Sequence, residues 1–202
     1  MAAAEADEVY RALGLFLVEF SRLVFSMRVI IIEQLDTDPG VFAELALGEA
    51  TASNITSAFF GICRAAAELD EKGVEAKIES RLKGEVVSDA IEQRNDLAHG
   101  DWIIDEVGHS RGLGVATVIR VRPARSPRKG GPLKAFTATP ELLAGWAERV
   151  SVLRTMVAEY GAICIGSDPY GRNNIRPPDV FVMQGQDVVR AGPSASEFPP
   201  FT

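Results

Sequence analysis

The chain has 202 residues, 47% hydrophobic and 24% charged, the make-up of one folded domain whose core needs neither disulfides nor a structural metal. Its net charge of −7 is unevenly spread: residues 1–106 hold 9 Lys/Arg and 21 Asp/Glu, whereas residues 107–140 hold 7 Lys/Arg and no acid. A wholly basic stretch in an acidic protein marks a candidate polyanion contact, against the plainer reading of a solvated loop that pairs with the acidic helices. The apolar run 13–32 is interrupted by Glu19, Arg22 and Arg28, so no membrane span is expected. Met1-Ala-Ala-Ala-Glu5 has no basic segment ahead of an apolar one, so no signal peptide is expected either, and the reading is a soluble, cytoplasmic protein.

Over residues 9–35, Val9, Leu13, Phe16, Phe20, Val24, Met27, Ile31 and Leu35 recur at helical spacing. Ala12, Leu17, Leu23 and Ile30 widen the stripe into an amphipathic helix of about seven turns. Asp36-Thr-Asp-Pro-Gly40 reads as the turn that stops it. A second helix is expected over about 51–69, capped by Ser53 or Asn54, with Ile55, Phe59, Ile62 and Ala66 as its stripe. Val74, Ile78 and Leu82 predict a short helix that stops near Gly84, and residues 85–98 a further one with Gly100 just beyond.

The pattern then changes. Trp102-Ile-Ile-Asp is a short apolar run, 114–122 is β-branched and partly alternating, and 133–139 reads as a returning strand, which together predict a β-hairpin with a long basic connection. Thr139 or Thr137 can cap a last long helix with Pro140 at its first position and Glu141 in its first turn, ending near Gly161 to Gly166. The stretch 167–202 carries six of eleven prolines and no sustained period, and reads as an extended tail that Phe181, Val182, Phe198 and Phe201 could pin. The expected fold is mainly α: a bundle of four to five helices over 1–166, a basic β-hairpin insertion at about 102–139 before the last helix, and a tail over 167–202.

Several chemistries fall away. Gly108-His-Ser-Arg-Gly112 matches a hydrolase elbow, but strand-like sequence follows it and no histidine lies downstream of His109. Arg128-Lys-Gly-Gly-Pro132 lacks the spacing of a phosphate loop. The two histidines and two cysteines offer no metal-ligand or Cys–His spacing, Cys63 and Cys164 reading as buried core, so no metal and no cofactor are expected.

Gln93-Arg94-Asn95-Asp96-Leu97-Ala98-His99-Gly100 remains. Extrapolated at 100° per residue, Arg94 lies inside the stripe of Val87, Ala90, Ile91, Leu97 and Ala98, where a guanidinium needs a partner, a water-filled cleft or an exit. Helix physics alone allows an arginine paired to a carboxylate and a histidine favoured by the dipole at the helix end. A long arginine can also meet a histidine near the helix end, more easily if a two-fold mate supplies the other half.

Arg94-Asn95-Asp96-Leu97-Ala98-His99 resembles the signature of the HEPN superfamily (higher eukaryotes and prokaryotes nucleotide-binding domains), in the common form Arg-Asn-x-x-Ala-His-Gly. The resemblance implies a homodimer in which the 85–100 helices face each other across a composite cleft. It further implies metal-independent endoribonuclease activity on RNA, leaving 2′,3′-cyclic phosphate and 5′-hydroxyl ends. His99 would transfer protons, Arg94 would hold the phosphate and Asn95 would orient one of them. Many members are toxins or defence proteins, which makes an antitoxin protein a candidate partner; others are non-catalytic RNA-binding, dimerisation or interaction modules, the alternative reading here. Arg120, Arg122, Arg125, Arg128, Lys129 and Lys134 of the basic hairpin are the candidate RNA-contacting residues outside the motif.

Overall fold

The computed structural model describes residues 2–34, 47–48, 50–68, 73–103, 117–121, 133–166, 177–184 and 187–190. The turn at 36–40, the Gly108–Gly112 segment, the hairpin connection 122–132 and residues Phe198 and Phe201 lie outside them. The fold is a mainly helical bundle. Helix α1 (Ala2–Gln34) begins earlier than its apolar stripe because the Ala-rich start favours helix. It buries the expected face, from Val9 and Phe16 through Met27 to Ile31. No helix among the described residues is long and apolar enough to cross a membrane.

Helix α2 (Ala52–Ala66) is capped by neither Ser53 nor Asn54. Thr51 takes that place, its Oγ1 accepting from the Asn54 N–H at 3.2 Å. The buried face is Ile55, Thr56, Phe59, Phe60 and Cys63; Ile62 is half-buried against the same core, and Ala66 is exposed. Helix α3 (Val74–Gly84) buries Ile78 and Leu82 but leaves Val74 exposed.

Gly84 is the last α-helical residue of α3, as expected, but it does not break the helix. Its backbone is right-handed helical (φ −59°, ψ −49°), and glycine stops a helix when it takes the left-handed conformation just past the end. The helix continues through a π-helical segment, Glu85–Ile91, into α4 (Glu92–His99). Strand β1 (Asp101–Ile103) follows at once, tied back to α4 by Trp102, whose indole N–H donates to the Leu97 carbonyl at 2.8 Å. β1 pairs antiparallel with β2 (Thr117–Val121), which pairs antiparallel with β3 (Leu133–Thr137), in the order β1-β2-β3.

Helix α5 (Pro140–Cys164) starts as its sequence predicts, Thr139 Oγ1 accepting from the Leu142 N–H at 3.2 Å with Pro140 in the first turn. It runs past Gly161; the left-handed residue is Gly166 (φ +71°). α1 packs most extensively against α5, Phe16 meeting Trp146 edge-on at 6.4 Å. Gly161 is a close contact between helices: a Cβ there would lie 2.5 Å from Ile30 Cδ1 and 2.8 Å from Phe59 Cε2. Beside it, Phe59, Phe60 and Tyr160 form an aromatic cluster, with Phe59 and Phe60 at 4.9 Å.

Part of the stretch read as a tail is packed. The helical turn α6 (Pro177–Val180) lies against α3 and α5, and β4 (Phe181–Gln184) pairs antiparallel with β5 (Asp187–Arg190). Phe181 is buried against Tyr160 at 6.2 Å. One aromatic ring over a hydrophobic cluster recovers enough apolar burial to hold a short proline-bearing segment.

Candidate functional site

The π-helical segment decides which way α4 faces. Its hydrogen bonds reach five residues back instead of four, so the backbone turns less per residue and everything downstream faces away from where straight α-helical extrapolation puts it. Arg94 is therefore outside the buried stripe, which in α4 runs through Gln93, Asp96 and Leu97. Arg94 and Asn95 are half-buried, Ala98 and His99 exposed. The Arg94 Nη1 donates to Asn95 Oδ1 at 3.1 Å. Among the described residues no carboxylate pairs with Arg94, so its guanidinium sits in a cleft, one of the three situations such a residue allows.

That cleft is an open groove of about 1140 Å³ between α1, the start of α2 and the π-helical/α4 helix. Arg94, Asn95 and His99 all line it. Arg22 and Arg28 of α1 line the same groove, as do Thr51 and Ser53 at the first turn of α2, the electropositive end of that helix. Three arginines and a histidine thus share a groove whose described lining contains no Asp or Glu, in a chain with 28 acids and 21 bases. His99 is the last residue of α4. The arrangement suits a phosphate ester: a bidentate cation, an amide that orients it and a proton-exchanging ring in one open space.

Arg22 and Arg28 were legible in the sequence only as breaks in an apolar run. Charged residues within such a run are the available signal, since a helix packed by its apolar stripe needs a polar opening at those positions. Arg22 Nη1 bonds Glu19 Oε1 at 2.6 Å, and Glu19 also faces Arg154 Nε at 3.5 Å, so its carboxylate joins α1 to α5. Arg28 differs: its Nε is buried and has no hydrogen-bond partner.

Of the hairpin residues, Arg120 and Lys134 are direct register partners on β2 and β3. Arg122, Arg125, Arg128 and Lys129 lie outside the described residues. Elsewhere, the buried Glu79 of α3 pairs with Arg64 of α2. Cys63 and Cys164 are free and buried, and a hydrogen bond between them together with burial pushes the Cys63 thiol far up. Burial also raises the Asp89 carboxyl, against the opposing pull of Arg149 at 3.7 Å and of Arg81. No group of His, Cys, Asp and Glu among the described residues could hold a metal ion.

No protein-family model, no curated protein and no solved structure matches this chain.

Proposed function

We propose that this protein is a HEPN-type endoribonuclease that cleaves RNA without a metal, acting as a homodimer through the 85–100 helix. The observation that carries the reading is the joint placement of Arg94, Asn95 and His99 in a cationic groove lined by no described carboxylate. In the reaction the RNA 2′-oxygen attacks the adjacent phosphorus and the P–O5′ bond breaks. The 2′-hydroxyl proton passes to a base and the departing 5′-oxygen takes a proton from an acid, leaving a 2′,3′-cyclic phosphate and a 5′-hydroxyl. Arg94, steadied by Asn95, holds the phosphate and offsets the charge that builds on it. Each chain brings one histidine to the groove, so two copies facing each other supply the base and the acid together.

A toxin or defence role, with an antitoxin protein as partner, follows from the same resemblance. The other reading is a non-catalytic helical interaction module, favoured by the apolar residues that α1 leaves exposed, Leu15 at 47%, Val18 at 48% and Phe25 at 64%. Labelled RNA incubated with the protein in EDTA separates the two. Cleavage that His99→Ala abolishes supports the nuclease; equal inactivity of parent and variant rejects it.

A further inference from the structure

We propose that α1 is the substrate-holding wall of this groove: the Arg28 guanidinium takes a phosphate beside the scissile one, and the Phe25 ring stacks a base of single-stranded RNA. The proposal rests on the ribonuclease reading for the identity of the polymer, and concerns residues that hold it without taking part in proton transfer.

Phe25 and Arg28 are three residues apart on α1, so they are neighbours on one helix face, and both line the groove. Phe25 is the most exposed large hydrophobic residue described in the molecule. An exposed aromatic ring beside a guanidinium is the pairing by which single strands are held, since every base offers a face to stack on and every nucleotide an anion to bind. A duplex keeps its bases stacked on one another, so the ring selects unpaired RNA.

Arg28 is the α1 cation free for this. Arg22 is engaged by Glu19 at 2.6 Å, whereas Arg28 has no ion pair among the described residues and its Nε is buried without a hydrogen bond. A buried donor lacking an acceptor is costly, and a phosphate oxygen in the groove would satisfy it with a charge-assisted bond.

The test is binding without cleavage. A short fluorescent 2′-O-methyl oligonucleotide has no free 2′-hydroxyl to attack, so fluorescence anisotropy in EDTA reports on holding alone. Phe25→Ala should weaken binding about 5- to 100-fold, and Phe25→Trp should restore it. Arg28→Gln should weaken binding and reduce the salt slope by about 0.7, with Arg28→Lys between it and the parent. Because Arg28 is half-buried, melts accompany each variant; should Arg28→Gln unfold, Arg28→Lys and the exposed Phe25 decide the matter. Parent-like binding by both Phe25→Ala and Arg28→Gln overturns the proposal, as does a parent that does not bind. A loss of binding that coincides with a halved mass in light scattering also overturns it, since α1 would then be a subunit contact. Binding that depends on Phe25 and Arg28, with unmodified RNA left intact by the parent, upholds this wall and rejects the nuclease; cleavage indifferent to both residues does the reverse.

Discussion

His99 and Arg94 differ in what they risk. His99 is exposed at a helix end, so His99→Ala should leave the melting temperature close to the parent's while RNA cleavage falls about 10²- to 10⁴-fold. Placed inside the apolar stripe, as the sequence reading has it, Arg94 would be a structural residue as well, and Arg94→Ala would cost stability. Its position in the groove, with one hydrogen bond to its neighbour Asn95, predicts instead a loss of activity with a stability change within about 1 kcal/mol. Arg94→Lys keeps the charge without the fork, so oligonucleotide binding should outlast cleavage. Asp89 provides a pH test. Its carboxyl is raised by burial, so the folded chain binds more protons there than the unfolded one, and stability falls as pH rises through the folded value. Urea midpoints across the range just above the ordinary carboxylate value should therefore show Asp89→Asn gaining on the parent as pH increases; a constant difference would refute that.

At the scale of elements, Gly161 is a tight contact between α5, α1 and α2. Alanine is the better helix former by up to about 1 kcal/mol, which by itself would stabilise α5. The added Cβ, however, would meet Ile30 Cδ1 at 2.5 Å and Phe59 at 2.8 Å. Ile30 can rotate, but the Phe59 ring is held between Phe60 and Tyr160. Gly161→Ala should therefore destabilise by about 1–3 kcal/mol, read as a lower urea midpoint at unchanged slope. The sequence places the end of α5 near Gly161 to Gly166 and the helix ends at Cys164, but nothing local shows that Gly161 is also a contact with α1 and α2. The π-helical segment is a second case. The types and spacing of Arg94, Asn95 and His99 are plain in the sequence, but the wider turn over Glu85–Ile91 sets their direction. No residue pattern in 85–91 announces it.

For the whole molecule, the proposed composite site requires two copies. Light scattering at micromolar concentration should return twice the 21.8 kDa chain mass, and a monomer there would count strongly against two facing histidines. The basic stretch adds a separable term. If its cations meet phosphates, RNA affinity should fall with salt at about −0.7 per phosphate neutralised, and reversing the charges of Arg120 and Lys134, register partners on β2 and β3, should flatten that slope. An unchanged slope would make the stretch a solvated surface.

The sequence by itself determined the helical class, the buried face of α1, the Thr139–Pro140 start of α5 and the residue types of the candidate site. Each depends on periodicity or on contacts within a few residues, where hydrophobic spacing and capping chemistry are local. Only the tertiary structure decided that the helix runs on past Gly84, that Phe181 packs on Tyr160, and that Arg22 and Arg28 share a groove with Arg94 and His99. Those facts join residues up to 77 positions apart, and they follow from how helix faces meet, a quantity to which one wider turn contributes as much as any side chain.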